Sequence, residues 1–226
     1  MTTRRALIPL VALLAGSWTL SSCARAAEPA ASALSKWQAG TNYKLLPAPQ
    51  PTSVAAGKVE VAEVFWYGCG HCYALDPALE KWKAEKKPYV EFMRVPVIWG
   101  PVQRQHAKLY YTLQALNRPD LHTKVFDAIH QQGLALSARD EVEARAMQLV
   151  FLSAQGVNES RFNSAYDSMS VASSMLRAEE LTKKYAVENV PVMVVNGKYM
   201  TSVSEAGSEA KLIALVNDLA ASEKAR

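Results

Sequence analysis

A strongly apolar stretch at residues 58–67 (KVEVAEVFWY) predicts a buried β-strand. Valine and aromatic side chains favour the pleated, packed surface of a sheet. Because the end of this stretch is almost continuously apolar, we expect a central strand with both faces covered. Residues 43–46 predict a short edge strand, and the turn-rich segment 47–57 connects the two.

A helical pattern follows at residues 70–86, where apolar side chains recur every three or four positions and form one stripe. These positions are Leu75, Leu79 and Trp82. Pro77 lies within the pattern and is expected to interrupt and kink the helix. Residues 89–97 (YVEFMRVPV) predict a second strand, which completes a β-α-β unit with an expected right-handed connection.

Residues 101–167 are predicted to be helical throughout, with helix ends near Pro119 and at Gly133. A third helix is expected to begin at a capping box, Ser137-Ala-Arg-Asp140, and a short fourth helix follows it. The apolar positions of the third helix are Val142, Met147, Leu149 and Val150. This segment predicts a compact helical unit placed between two parts of a sheet domain.

The pattern returns to a sheet after the helical unit. A longer helix is predicted over residues 171–185, followed by a β-branched strand at 191–195. The Asn-Gly pair at 196–197 is a strong hairpin signal, so residues 198–202 are expected to form the return strand. Residues 208–221 predict a closing amphipathic helix.

These elements predict an α/β protein: a central mixed sheet flanked by helices, with an inserted all-helical domain. We assign residues 27–57 to an N-terminal leader and edge strand. The sheet domain comprises residues 58–100 and 168–226, and the helical domain comprises residues 101–167.

Residues 1–26 are typical of an export signal, with a basic start at Arg4 and Arg5, an apolar stretch and a small-residue cleavage site after Ala26. The apolar stretch is short for a membrane span of about 20 residues, although an uncleaved anchor is an alternative. Residues 20–23 (LSSC) also resemble a lipobox, in which Cys23 would carry the lipid. We therefore expect a periplasmic protein, either free or anchored through Cys23.

The formal charge of the 226-residue chain is +4, and three of its arginines lie in the predicted signal. The remaining body is close to neutral and has no basic stripe. This charge pattern gives no reason to expect nucleic-acid binding.

The body of the chain contains two cysteines, Cys69 and Cys72, at the predicted strand-to-helix junction. A Cys-x-x-Cys motif in this position is the thioredoxin-type redox arrangement. A Cys69–Cys72 disulfide suits an oxidising compartment, but its short loop makes it a poor structural crosslink. We expect Cys69, at the helix N-terminus, to be the exposed nucleophile and Cys72 to be the resolving cysteine. Gly70 and His71 lie between them and are expected to tune the pair.

Two other interpretations of the motif remain open. A zinc site would need two further ligands, and His106, His122 and His130 lie far away along the chain. A purely structural disulfide is the second alternative. We predict neither a metal nor another cofactor.

Glu63 interrupts the apolar strand six residues before Cys69. One interpretation is an outward-facing carboxylate on an edge strand. The other is a buried acid that relays protons to Cys72, with Arg94 of the adjacent strand as its partner.

These residues resemble the bacterial DsbA-like thiol:disulfide oxidoreductases of the thioredoxin superfamily. The matching motifs are residues 63–72 (EVFWYGCGHC), Pro77, and residues 190–198 (VPVMVVNGK). The resemblance covers about residues 40–222, including the helical insertion, and implies a thioredoxin fold. One departure is Gly70, where many members carry proline; Gly-His is the dipeptide of protein disulfide isomerases.

The resemblance also implies functional features. Pro191 would follow a cis peptide bond and pack against the disulfide, leaving the Val190 backbone free to pair with a substrate peptide. Trp66, Val190 and Trp99 would surround a substrate groove. Family members oxidise cysteines of unfolded exported proteins and are reoxidised by a quinone-linked membrane partner of DsbB type.

The sequence therefore favours a monomeric periplasmic dithiol oxidase that donates its disulfide through a mixed disulfide. A disulfide isomerase or reductase using the same site is the first alternative. A non-catalytic chaperone or peptide-binding module is the second.

Overall fold

The computed structural model describes residues 1–2 and 34–225. Apart from the first two residues, the predicted export signal lies outside this part of the chain. Cys23 and the suggested lipid attachment also lie outside the described residues.

Five strands form one mixed sheet in the order β1-β5-β4-β2-β3. The strands are β1 (Lys44–Leu45), β2 (Val59–Phe65), β3 (Val90–Pro96), β4 (Val192–Val195) and β5 (Tyr199–Thr201). Strands β2 and β3 are parallel, and the other neighbouring pairs are antiparallel. Every residue of β2 is buried, as the apolar pattern predicted. The predicted mixed sheet and its short edge strand are therefore confirmed.

Eight α-helices flank or follow the strands in the described chain. They are α1 (Gly70–Glu85), α2 (Pro101–Ala115), α3 (His122–His130), α4 (Glu141–Ala154), α5 (Glu159–Tyr166), α6 (Met169–Lys184), α7 (Val203–Ala206) and α8 (Glu209–Lys224). A 3₁₀ turn at Pro119–Leu121 precedes α3. Helix α1 continues through Pro77, so the expected interruption of this helix is wrong.

The predicted start and buried face of α4 also need correction. Asp140 is the N-cap residue, and its side chain accepts a hydrogen bond from the Glu143 backbone N–H at 2.9 Å. Val142 and Val150 are 79% and 72% exposed. The buried positions are instead Ala144, Gln148, Phe151 and Leu152. The apolar pattern did not reveal this face because one of its buried positions is a glutamine. The Gln148 amide donates hydrogen bonds to backbone carbonyl groups of the neighbouring segments, which allows it to be buried.

The helical segment packs directly against the end of β2. One apolar cluster joins Phe65, Tyr67 and Cys72 to side chains of the helices between β3 and α6. A second cluster packs α1 and α8 against the sheet. The boundaries of the sheet and helical domains remain predictions, but this packing places the helical segment beside the Cys-x-x-Cys motif.

Candidate active site

The two cysteines occupy different environments within one helical turn. Strand β2 ends at Phe65, and a short turn leads to Cys69, the N-cap residue of α1. The Cys69 side chain is partly buried, whereas Cys72 is fully buried. Both are free thiols in this structure. The Cys72 backbone N–H donates a hydrogen bond to Cys69 Sγ at 3.4 Å, so the free donors at the helix start point toward this sulfur.

These environments shift the two thiol pKa values in opposite directions. The pKa of Cys69 is lowered to about 6, chiefly because the Cys72 thiol donates a hydrogen bond to its sulfur. Burial opposes this shift, while backbone N–H groups and the charge of His71 support it. Burial raises the pKa of Cys72, and its hydrogen bond to Cys69 adds to that effect.

The loop before β4 lies against the Cys69 sulfur. The Val190–Pro191 peptide bond is cis, as the resemblance implied. The Cys69 thiol donates a hydrogen bond to the Val190 carbonyl oxygen at 3.5 Å. A cavity of about 420 Å³ adjoins this contact and is lined by residues of α1, the cis-proline loop and the start of α7, including His71 and Pro191.

Glu63 is a buried acid, which excludes the interpretation of an outward-facing carboxylate. The parallel register pairs it with Arg94, whose Nε donates to Glu63 Oε2 at 2.7 Å. The guanidinium also contacts Asp76 and Glu80 of α1, each at 2.8 Å. Burial raises the pKa of Glu63, although Arg94 opposes the shift.

Gly70 and His71 are exposed at the first turn of α1. A Cβ atom added to Gly70 would meet no atom within 4 Å. Packing therefore does not impose glycine at this position.

Known proteins are similar to this chain over most of its length. The protein is 36% identical over 190 residues to the thiol:disulfide interchange protein DsbA of Pseudomonas aeruginosa, covering 84% of this chain and 87% of that protein. The Pseudomonas syringae protein of the same name is 36% identical over 98% of this chain and 97% of its own length. The chain belongs to the DsbA family.

Solved DsbA structures agree with the family assignment. The crystal structure of Pseudomonas aeruginosa DsbA matches with a TM-score of 0.78 and 35% identity, over 84% of this chain and 96% of that chain. DsbA from Xylella fastidiosa matches with a TM-score of 0.75 and 29% identity, over 83% and 97% of the two chains. A comparison with protein-family models gave no match. This member of the DsbA family is thus a thiol:disulfide oxidoreductase with a thioredoxin fold and a helical insertion.

Three histidines of the helical segment lie beside the motif, although the sequence places them far from it. His106 Nδ1 accepts a hydrogen bond from Trp66 Nε1 at 2.9 Å. His122 Nδ1 lies 2.8 Å from the Tyr67 hydroxyl, and His130 Nε2 lies 2.8 Å from the Tyr67 carbonyl oxygen. They pair with protein groups around the motif, and no residues of the described chain form a group that could hold a metal ion.

The turn before Cys69 is also closely packed. A Cβ atom at Gly68 would lie 2.3 Å from the Trp66 ring, so only glycine fits under this indole. Trp66 is partly buried, and Trp99 is 49% exposed. Both remain candidates for the substrate groove of this DsbA-family protein.

The sequence did not identify three side chains that lie beside the buried Glu63–Arg94 pair: Asp76, His122 and Thr123. Asp76 lies one turn after Cys72 on α1, a spacing that places two side chains on one helix face. His122 and Thr123 had no such signal, because only the packing of α3 against α1 brings them to Asp76.

In the part of the chain that the structure describes, no helix is long and apolar enough to span a membrane. The comparisons give no support to lipid attachment at Cys23.

Proposed function

We propose that this protein donates a Cys69–Cys72 disulfide to cysteine pairs of unfolded exported proteins in the periplasm. The observation that carries the proposal is the contrast between the two thiols: Cys69 caps the start of α1, where the Cys72 N–H donates to its sulfur, whereas Cys72 is fully buried. Their pKa values shift in opposite directions accordingly. A stabilised Cys69 thiolate favours the reduced protein, which makes the disulfide a stronger oxidant. The proposal needs no bound cofactor.

The proposed reaction proceeds through a mixed disulfide at the accessible sulfur. A substrate thiolate attacks Cys69 Sγ, the Cys69–Cys72 bond breaks, and Cys72 leaves with the electron pair and takes up a proton. A second substrate thiolate then attacks the substrate sulfur of the mixed disulfide and releases Cys69 as a thiolate. The substrate gains a disulfide, and the protein is left as the reduced dithiol.

Glu63 is the proposed proton donor to Cys72. Burial raises the pKa of this carboxyl, which favours its protonated form, and the raised pKa of Cys72 means that the leaving sulfur readily accepts a proton. Glu63 thus supports disulfide donation without contacting the substrate.

Val190 and Pro191 are the proposed substrate-binding residues. The cis-proline loop borders the cavity beside Cys69 and lies within hydrogen-bond distance of its sulfur. An extended peptide pairing with this loop would place a cysteine next to Cys69. Such recognition uses the peptide backbone, which suits a protein that accepts many unfolded substrates.

The reduced protein needs an electron acceptor to act again. Family resemblance supports a quinone-linked membrane partner of DsbB type, and we propose that the chain acts as a monomer. The partly buried Cys69 thiolate would attack a disulfide of such a partner.

Equilibration of the Cys69–Cys72 pair with glutathione buffers separates the oxidase from a reductase or isomerase. We expect a potential well above the value of about −270 mV typical of thioredoxins. A potential near that value would contradict disulfide donation and favour a reductase. The Gly70-His71 pair makes an isomerase the second candidate, and an intermediate potential with disulfide-shuffling activity would support it.

A cysteine replacement tests the non-catalytic alternative. Cys69→Ser is expected to abolish restoration of disulfide formation in a bacterial strain that lacks its own oxidase. The matched Cys72→Ser variant keeps the nucleophile and is expected to accumulate mixed disulfides. If Cys69→Ser restores folding as well as the unaltered protein, the redox proposal fails and a chaperone is favoured.

A further inference from the structure

A continuous group of buried polar side chains lies below the redox pair and reaches into the helical segment. It begins at Glu63, passes through Arg94 to Asp76, and continues to His122 and Tyr67. All five side chains are buried. The proposed reaction uses only Glu63, so the other members need an explanation.

The contacts of His122 determine which ring nitrogen carries its proton. Nδ1 lies 2.8 Å from the Tyr67 hydroxyl, and Nε2 lies 3.4 Å from Asp76 Oδ1. A bare Nε2 would direct its lone pair at a carboxylate, which is unfavourable. The favourable tautomer accepts the Tyr67 hydroxyl proton at Nδ1 and points Nε2–H at Asp76. At 3.4 Å this is a polar contact and not a hydrogen bond, so the buried Nε2 has no hydrogen-bond partner among the described residues.

Charge balance determines how many protons the buried group holds. Glu80 is partly exposed and has Lys83 as a second partner at 3.0 Å, so Arg94 is left to balance Glu63 and Asp76. Two ionised acids would exceed its single charge, and burying an unbalanced charge is costly. One of the two acids is therefore expected to be protonated.

The hydrogen bonds favour Glu63 as the protonated acid. Asp76 accepts from Arg94 and from the Thr123 hydroxyl, each at 2.8 Å, and also faces His122. Glu63 accepts from Arg94 through Oε2, while its buried Oε1 has no partner among the described residues. Burial would raise the pKa of Asp76, but His122 and Arg94 more than offset it.

We infer that His122 is a positioning residue of the redox site, which holds Asp76 ionised beside Arg94 and thereby keeps the shared proton on Glu63. The inference rests on the proposed function only in assigning that proton to Cys72. His122 is thereby a residue of the helical segment that belongs to the site. Its link to Glu63 is electrostatic and runs through Asp76 and Arg94.

The surroundings of His122 show that its effect on Asp76 does not come from a positive charge on the ring. It faces Tyr67 from the turn after β2, Tyr110 from α2 and Asp76 from α1, with Arg94 and Glu80 at longer range. Its remaining neighbours are the apolar rings Phe65 and Phe126. Burial lowers the pKa of His122 to about 4, so the ring is neutral near pH 7.

Carbon-13 NMR titration of the side-chain carboxyl groups in the reduced full-length protein tests this inference. In His122→Phe, which keeps an aromatic ring but removes the N–H, we expect the Asp76 midpoint to rise by about one pH unit, a tenfold change in proton affinity. The Glu63 midpoint should fall as the proton is redistributed. His122→Gln, whose amide can place an N–H near the Nε2 position, should restore most of both values.

His130→Phe is the matched control, because it also removes a histidine of α3 that contacts Tyr67 but does not touch Asp76. It should leave both carboxyl titrations unchanged. Equal titrations in the unaltered protein and His122→Phe would overturn the inference, as would a His122→Gln variant that behaves like His122→Phe.

Two further variants test the inference if His122→Phe does not fold. If His122→Phe leaves Tyr67 unpaired and unfolds, the Tyr67→Phe/His122→Phe double variant is compared with Tyr67→Phe, with the same expected shifts. Asp76→Asn should lower the Glu63 midpoint, and no change there would also overturn the inference. Because these titrations do not depend on the direction of disulfide exchange, they stand apart from the glutathione equilibrium that tests the function.

Discussion

Cys69 and Cys72 lie one helical turn apart, yet their sulfur atoms differ in exposure, partners and acidity. Cys69 accepts hydrogen bonds at the start of α1, where backbone N–H groups are free. Cys72 lies in the apolar cluster formed with the helical segment. The first environment is local to the motif, whereas the second requires the whole fold.

The acidity of Cys69 predicts how the stability of the reduced protein depends on pH. The folded pKa is about 6, compared with about 8.5 for an unfolded cysteine, so the unfolded state binds this proton more tightly. The free energy of unfolding should therefore rise between about pH 6 and pH 8.5, and the stabilisation should be lost below about pH 6. Denaturant unfolding of the reduced protein across this range measures it.

Cys69→Ser is the control for this pH dependence. It removes the acidic thiol and keeps Cys72, which remains protonated in the folded state and opposes further stabilisation above about pH 8.5. The rise should be much smaller in this variant. An equal rise in both proteins would show that other groups cause it.

At the scale of single elements, the start of α4 offers a direct test of helix capping. Asp140→Ala removes the side chain that accepts from the Glu143 N–H, and it should lower the free energy of unfolding by about 1 kcal/mol. Ser137→Ala, at the cap position expected from the sequence, should have a much smaller effect. Chemical denaturation measures both, and a larger loss at Ser137 would contradict the assigned cap.

The pairing of β2 with β3 shows how a strand register builds the site. Parallel alignment places Glu63 directly beside Arg94 in a buried layer. A shift of one residue would send one of the two side chains to the opposite face of the sheet. The ion pair therefore depends on the register of two elements rather than on either strand alone.

At the scale of the whole molecule, the helical segment forms one wall of the active site. Phe126 of α3 is fully buried, and its ring lies 5.0 Å from the Tyr67 ring and 5.9 Å from the Tyr73 ring. It belongs to the same apolar cluster as Cys72. Packing across this surface keeps the Cys72 thiol away from water.

Removal of this side chain should affect both stability and the thiol. Phe126→Ala should cost about 3–5 kcal/mol of unfolding free energy, because it leaves a cavity in the core. Thermal unfolding and the alkylation rate of Cys72 in a Cys69→Ser background measure the two effects, and we expect faster alkylation. Val142→Ala, at an exposed position, should change stability by less than about 0.5 kcal/mol. Unchanged alkylation in Phe126→Ala would contradict the proposed wall.

The sequence by itself determined the local features of this protein. Strand β2 followed from its continuous apolar run, and α1 from its three- and four-residue spacing. The Cys-x-x-Cys motif, Arg94 as the partner of Glu63, and the family resemblance were also visible along the chain. Each of these features depends on neighbouring residues or on a recognisable motif, so each could be predicted from the sequence alone.

Only the tertiary structure decided which distant residues surround the motif. His106, His122 and His130 seemed remote, but packing of the helical segment brings each within hydrogen-bond distance of Trp66 or Tyr67. Their spacing carries no such signal, because contacts between helices depend on how faces pack rather than on sequence separation. The burial of Cys72 and the proposed proton balance of Glu63 depend on that packing.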